Sequence, residues 1–102
     1  MGEFSYEWDT AKEEINIEKH HIDFETASLI FEGRTTRQVD GRFDYGEVRY
    51  RSFGVVDGRV LAVIWTPRGD TVRRIISARQ AGQNERRDYY AATGRRGADE
   101  ED

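Results

Sequence analysis

The feature that most restricts the fold is an unbroken apolar run at residues 60–65, VLAVIW. Asp57-Gly58 precedes the run and favours a two-residue β-hairpin turn. Residues 67–70, which contain proline and glycine, form a second turn signal after it. A short apolar run between two turns is typical of a strand that is buried on both faces. The pattern therefore predicts a central strand over residues 59–66 of an antiparallel sheet.

Helical patterns occupy the chain before this sheet. Asp9 and Asp23 are good N-cap residues, and they predict helices over residues 10–20 and 24–31. The alternation in residues 4–8 also allows a short strand ahead of the first helix. We therefore expect two N-terminal helices, and the pattern leaves room for a short extra strand before them.

The remaining elements follow from alternating segments. They predict strands over residues 35–39, 48–56 and 71–76. Ser77 then offers an N-cap for a last helix over residues 78–92, with a glutamine three residues later as a capping box requires. The expected class is α+β: two N-terminal helices, an antiparallel sheet of three to four strands with the helices against one face, and a C-terminal helix. Residues 1–93 should form a single domain, and residues 94–102 a disordered acidic tail.

The net charge of −4 conceals an uneven distribution. Residues 1–32 carry nine acidic and two basic side chains, whereas residues 33–98 carry fourteen arginines and seven acidic side chains. Because the arginine fork matches phosphate geometry, this distribution favours a focused phosphate site. The overall negative charge argues against a nonspecific polyanion binder.

The composition also restricts cofactors and location. The absence of cysteine excludes disulfides and thiolate metal sites, and the adjacent pair His20-His21 lacks metal-ligand spacing, so we expect no metal and no other cofactor. No apolar run approaches the roughly 18 residues of a transmembrane helix. The acidic N-terminus is unlike a signal peptide, and the cytoplasm is the expected location.

The first predicted helix has a polar face made of Lys12, Asn16, Lys19 and His20, which lie at i, i+4, i+7 and i+8. A lysine, an amide and a histidine on one face could bind phosphate and transfer a proton. The alternative is a solvated face on which Lys19 and His20 favour the C-terminal end of the helix dipole.

Residues 73–90 are rich in arginine and cross the predicted strand-to-helix junction. Such a cluster can form a phosphate-handling surface. Its candidate residues are Arg74, Arg79, Arg86 and Tyr89. The alternative is a solvated helix face on which Glu85 and Asp88 pair part of the charge.

Two blocks of the sequence together carry a family pattern. The first is W-D-x-x-K-x-x-x-N-x-x-K-H at residues 8–20, and the second is R-I-I-S-A-R-x-A-x-x-x-E-R-x-x-Y at residues 74–89. In this order they resemble the BrnT family of toxins from type II toxin–antitoxin pairs, and Glu47, Arg49 and Arg68 between them also fit. The resemblance covers roughly residues 4–90. His21 departs from the pattern, because the family usually has glycine there.

The resemblance implies a RelE-like fold and an endoribonuclease activity that cleaves RNA and inhibits translation. It also implies a cognate BrnA-like antitoxin in an assembly of two toxins and two antitoxins. That assembly would repress its own operon and contact operator DNA only through the antitoxin. No membrane association is implied.

Metal-independent RNA cleavage needs a base for the 2′-hydroxyl, cations for the phosphate and an acid for the leaving oxygen. The candidate bases are His20 and Glu47. The candidate acids are Lys19, His20 and Tyr89. Phosphate stabilisation is assigned to Arg49, Arg74 and Arg79. Further RNA contacts are expected from Lys12, Asn16, Arg68, Arg74 and Arg86.

Other interpretations stay open at this point. The arginine surface could serve only to bind the antitoxin, in a noncatalytic module, or the chain could be an inactive toxin remnant that acts in repression. Glu47 could be a strand-edge carboxylate paired with Arg49. Tyr89 could pack its ring on the sheet, which is the commoner fate of a helical tyrosine.

Overall fold

The computed structural model of the protein describes residues 3–42 and 44–94. The strands are Ser5–Trp8 (β1), Thr36–Val39 (β2), Tyr50–Val56 (β3), Arg59–Arg68 (β4) and Val72–Gln80 (β5). The helices are Thr10–His20 (α1), Phe24–Ser28 (α2), which continues as a 3₁₀ helix over Leu29–Glu32, and Gln83–Thr93 (α3). The predicted acidic tail, beyond Gly94, lies outside the described residues.

The five strands form one mixed sheet in the order β1-β5-β4-β3-β2. The pairs from β2 to β5 are antiparallel, whereas β1 runs parallel to β5, with Ser5 opposite Val72 and Trp8 opposite Ile75. The α+β class is confirmed, and the prediction of three to four antiparallel strands is corrected to five strands in a mixed sheet. The parallel pair joins segments from opposite ends of the described chain, which local patterns do not encode.

Helices cover both faces of the sheet. Successive residues of the apolar strand β4 point to opposite sides, so the strand contributes apolar side chains to a core on each face. The core on the side that we call the α2 face contains Leu61, Val63, Trp65, Phe24, Ala27 and Ile30. The core on the opposite side, the α3 face, contains Val60, Ala62, Phe53, Ala81 and Tyr89. The prediction of a central strand buried on both faces is therefore confirmed, and the prediction that all helices lie against one face is wrong.

The junction between β5 and α3 differs from the prediction. Ser77 is not a helix cap: it lies within β5, opposite Ile64, and the strand continues to Gln80. The helix begins at Gln83, where the carboxylate of Glu85 accepts the backbone N–H of Gly82 at 2.8 Å. The backbone pairing with β4 outweighs the local capping signal, since a cap contributes only about 1 kcal/mol.

The bounds of α1 agree with the prediction. The Asp9 carboxylate accepts the backbone N–H groups of Ala11 and Lys12 at 2.8 and 3.3 Å. His21 follows the helix with φ 61° and ψ 32°, and its N–H donates to the carbonyl of Ile17. Helices often end on glycine in this left-handed conformation. His21 therefore occupies a position whose backbone favours the glycine of the family pattern.

The other bounds shift by a few residues. α2 gives way to the 3₁₀ helix after Ser28, and β4 includes Pro67 and Arg68, so the turn after it covers residues 69–71. The 3₁₀ helix packs closely on β3: a methyl group on Gly54 would lie 2.7 Å from the Cβ of Ile30. This close approach requires glycine at position 54.

Candidate functional site

A hollow of about 230 Å³ lies between α1 and β5. Its lining, which we call the α1 hollow, consists of Lys12, Ile15, Asn16, Lys19, His20, Ile76 and Ser77. The four polar residues predicted to share one helix face thus border one concave surface. Ile76 belongs to this lining because the register of β5 shifts by one residue there, between the pairs Trp65–Ile75 and Ile64–Ser77.

Asn16 is the buried member of this set, only 5% exposed. Its amide nitrogen donates to the carbonyl oxygens of Ile22 and Ala78 at 2.9 and 3.0 Å. Its amide oxygen accepts the N–H of Ala78 at 3.0 Å. Both N–H donors of the amide are thereby used. Asn16 therefore holds α1 against β5.

A network of ion pairs surrounds Glu47. The carboxylate of Glu47 accepts hydrogen bonds from Arg49 at 3.0 Å and from Arg68 at 3.3 Å. Glu7 accepts from Arg74 at 2.9 Å and lies 3.9 Å from Arg68. We call these five residues the Glu47 network. The hydrogen bond from Arg49 is the main cause that lowers the pKa of Glu47, so this carboxylate is a weak base.

Arg79 lies on β5, whereas the sequence placed it in a helix. It is opposite Ala62, on the α3 face, and its guanidinium donates to both carboxylate oxygens of Glu85 at 2.8 and 2.9 Å. The hydrogen bond from Arg79 lowers the pKa of Glu85 to about 2, and the same bond raises the pKa of Arg79. Arg79 is therefore a cation in a fixed orientation, held by a bidentate pair.

The two candidate residues of α3 have packing positions. Tyr89 is 2% exposed in the core of the α3 face, and its hydroxyl donates to the carbonyl of Arg34 at 2.8 Å. Arg86 is partly buried and donates to the carbonyl of Ala81 at 3.3 Å. Tyr89 also lines a hollow of about 190 Å³ beside α3. Its buried ring and its bonded hydroxyl support the packing role.

The α1 hollow and the predicted phosphate-binding arginines occupy neighbouring regions and do not coincide. Among the described residues, no arginine lines the hollow. Ser77 connects the two regions, because it lines the hollow and also lies opposite Ile64 on the α3 face. Arg79 is two residues farther along β5, about 7 Å from Ser77 along the strand. The Glu47 network lies toward the other end of the same face.

Arg51 also lies on the α3 face and is not among the site residues predicted from the sequence. It lies on β3 opposite Gln38 and Ile64, and therefore on the same face as Ser77. The signal was present in the predicted strand: Arg51 is two residues from Phe53, which faces α3. The alternation along the predicted strand was therefore enough to place Arg51 on this face.

The described residues contain no group of three histidine, cysteine, aspartate or glutamate side chains that could hold a metal ion. Within residues 3–42 and 44–94, none of the helices is long and apolar enough to cross a membrane.

Comparison with known proteins agrees with the resemblance seen in the sequence. The family model described as the ribonuclease toxin BrnT of type II toxin–antitoxin systems matches residues 8–85. The fold is similar to the crystal structure of the Brucella abortus ribonuclease toxin BrnT, with a TM-score of 0.58 and 28% identity, over 78% of this chain and 99% of that chain. No curated protein sequence matches the chain. Since the family match spans most of its length, this chain belongs to the BrnT family of ribonuclease toxins of type II toxin–antitoxin systems.

Proposed function

We propose that the chain is an endoribonuclease toxin that cleaves RNA without a metal ion and thereby inhibits translation in the cytoplasm. The observation that carries this proposal is the α1 hollow, which Lys19, His20 and Ser77 line. Ser77 lies two residues before Arg79 on β5. A proton-transfer group and cations thus lie on neighbouring parts of the surface. Phosphodiester cleavage needs both of these elements.

In the proposed reaction, His20 takes the proton of the 2′-hydroxyl as the O2′ atom attacks the adjacent phosphorus. The bond between phosphorus and O5′ breaks, and Lys19 or the protonated His20 gives a proton to the leaving oxygen. The products are a 2′,3′-cyclic phosphate and a 5′-hydroxyl. Arg79, oriented by Glu85, stabilises the negative charge that develops on the phosphate oxygens.

The Glu47 network is assigned to substrate positioning. Because Arg49 lowers the pKa of Glu47, that carboxylate is poorly suited to remove a proton near neutral pH. Arg68 and Arg74 share their charge with Glu47 and Glu7, so they bind RNA less strongly than unpaired arginines would. Lys12 adds a cation at the α1 hollow. The buried residues Asn16 and Tyr89 are left out of the proposed site, and Arg86 has at most a peripheral part.

The decisive experiment is cleavage of a long RNA by the purified chain in the presence of a metal chelator. His20→Ala should lower the rate about 100-fold or more, since general acid–base catalysis contributes about 10²–10⁴-fold. The matched control is His21→Asn, which removes the neighbouring imidazole and keeps a residue that tolerates the left-handed backbone. Equal rates for the two variants, or activity that requires a divalent metal, would contradict the mechanism.

The type II family implies an antitoxin partner. We propose that this partner is BrnA-like, that two toxins and two antitoxins assemble, and that the complex represses its own operon through the antitoxin's contacts with operator DNA. Co-expression of the two genes, followed by the mass of the purified complex in solution, tests the stoichiometry. Binding of operator DNA by the toxin alone would contradict the assignment of DNA contacts to the antitoxin.

A noncatalytic antitoxin-binding and co-repressor module is the second candidate. It is favoured by the edge of the sheet at β2, where Val39 is 66% exposed and the nearby Val48 is 53% exposed. An edge strand with exposed apolar residues suits pairing with a partner's strand. Tight antitoxin binding by a chain that cleaves no RNA, with or without metal, would support this function instead.

A further inference from the structure

Arg51 forms no salt bridge with a carboxylate in the part of the chain that the structure describes. Asp40 is held by Arg42 through two hydrogen bonds of 2.8 and 3.1 Å, and Glu85 already binds another arginine with both oxygens. Arg51 is near enough to help lower the pKa of both Asp40 and Glu85. The hydrogen bond that its guanidinium makes, however, goes to the neutral side chain of Gln38 at 3.0 Å.

The fold leaves part of the Arg51 guanidinium without a partner among the described residues. The Nε atom of Arg51 is buried and has no hydrogen-bond partner among the described residues. The attraction of Asp40 and Glu85 favours a positive charge at this position, and Gln38 accepts from one nitrogen of the guanidinium. The guanidinium therefore has further N–H donors that a bound anion could use.

The position of Arg51 on the sheet indicates where such an anion would lie. One row of side chains crosses the α3 face of four strands, and its members are Gln38, Arg51, Ile64 and Ser77. The neighbouring row on one side, which contains Phe53 and Ala62, lies beneath α3. The Glu47 network lies on the other side. At Ser77 the row meets the α1 hollow, about 10 Å, or two strand spacings, from Arg51.

We propose that Arg51 forms a second phosphate subsite, which binds the backbone phosphate of a nucleotide next to the cleaved linkage in single-stranded RNA. This rests on the proposed function, which places the scissile phosphate at the α1 hollow beside Arg79. A strand that leaves the hollow at Ser77 and follows the row passes over Arg51. The planar guanidinium suits a phosphate better than an ammonium does. Arg51 contributes to substrate binding and takes no part in proton transfer.

The measurement is the affinity of the purified chain for a short single-stranded RNA with 2′-O-methyl groups, which cannot be cleaved because its nucleophile is blocked. Arg51→Gln should weaken binding about tenfold, the effect of one charged hydrogen bond. It should also reduce the slope of log affinity against log salt concentration by about 0.7, as expected for one lost contact to a single strand. The matched control is Arg59→Gln, which removes the same charge from an exposed site at the hairpin end of β4.

A second pair of variants guards against loss of structure. Arg51→Lys keeps the charge and loses the fork, so it should keep the salt slope and recover only part of the affinity. If Arg51→Gln does not fold, as judged by thermal unfolding, the comparison of Arg51→Lys with Arg59→Lys decides, and a weaker affinity in Arg51→Lys alone supports the subsite.

The outcomes separate this proposal from the proposed function. Equal affinities and equal salt slopes for Arg51→Gln and Arg59→Gln overturn the subsite, while the His20→Ala test of cleavage is unaffected. A chain that binds the blocked RNA but cleaves no RNA overturns the proposed function, and the Arg51 comparison still decides the subsite. A wild-type chain that binds no RNA even at low salt overturns both.

Discussion

Asn16 on α1 pairs with the backbone of Ala78 on β5 as a neighbouring strand would, through one donated and one accepted hydrogen bond, both of 3.0 Å. β1 accompanies β5 only as far as Ile75, so the backbone beyond that point would otherwise lie at an open sheet edge. A carboxamide offers the same donor and acceptor groups as a peptide unit. One side chain therefore closes the sheet edge and fixes the α1 hollow in place.

Replacing Asn16 with alanine should lower the free energy of unfolding by about 2–3 kcal/mol, because the buried N–H and C=O groups of Ala78 lose their partners. Urea unfolding followed by circular dichroism measures the change. Glu14→Ala, at an exposed position of the same helix, should change it by less than about 0.5 kcal/mol. Equal effects of the two substitutions would show that Asn16 does not anchor α1.

Gly54→Ala should destabilise the protein by about 1–3 kcal/mol, because its methyl group would lie 2.7 Å from the Cβ of Ile30 in a packed core. The control is Gly33→Ala, whose methyl group meets nothing within 4 Å. The midpoint of thermal unfolding should fall for the first variant and stay near the wild-type value for the second. An unchanged unfolding midpoint in Gly54→Ala would mean that the 3₁₀ helix can move away from β3.

His21→Gly should stabilise the protein by about 0.5–1 kcal/mol, because glycine adopts the left-handed conformation that His21 has at φ 61° without steric cost. His21→Ala should bring no gain, since alanine meets the same steric penalty. Denaturant unfolding of both variants distinguishes the backbone effect from loss of the imidazole. If both were stabilised equally, the imidazole and not the backbone would be responsible.

Glu85 should make stability depend on pH in acid. Its pKa is lowered from 4.5 to about 2, chiefly by the hydrogen bond from Arg79. A carboxyl group with a lowered folded-state pKa adds stability above its unfolded pKa, and this contribution disappears as pH falls from about 4.5 toward about 2. With allowance for solvent screening, the contribution is about 1–2 kcal/mol.

The check is the difference in unfolding free energy between the wild type and Glu85→Gln. This difference should be largest near neutral pH and should approach zero near the folded-state pKa of about 2. Glu18→Gln, at an exposed position of α1, should show little difference at any pH. A Glu85→Gln effect that persists unchanged in acid would rule out the ion pair as its source.

Arg79→Ala should lower kcat by about 10²–10³-fold with a smaller change in KM, because the charge that it stabilises develops mainly in the transition state. Single-turnover cleavage at saturating enzyme measures the chemical step. Arg87→Ala, at an exposed position of α3, is the control for loss of one arginine and should leave kcat unchanged. A loss of affinity for blocked RNA at constant kcat would reassign Arg79 to ground-state binding.

Short-range signals predicted the parts of the fold whose cause is local. The cap at Asp9 and the bounds of α1 depend on contacts within about one helical turn. The shared surface of Lys12, Lys19 and His20 depends on the same spacing. The central strand followed from its apolar run and the hairpin signal before it.

The junction of β5 and α3 shows where local signals fail. Ser77, with a glutamine three residues later, satisfies a capping pattern, yet both residues extend β5. On the partner strand β4, Ile64 lies opposite Ser77 and Leu61 lies opposite the glutamine. Between these two β5 residues, Ala78 is buried in the core. Several cross-strand hydrogen bonds and this burial together exceed the single cap that the sequence offered.

The amino-acid sequence by itself determined the helices and strands, apart from some of their ends, and the family to which the chain belongs. The tertiary structure decided which face each helix covers, the parallel pairing of β1 with β5, and the accessibility of each candidate residue. Tyr89 became a core residue, Asn16 a link between α1 and β5, and Arg51 a cation on an arginine-rich face. The reason is that burial and cross-strand pairing join residues far apart in the chain, whose contacts no local period encodes.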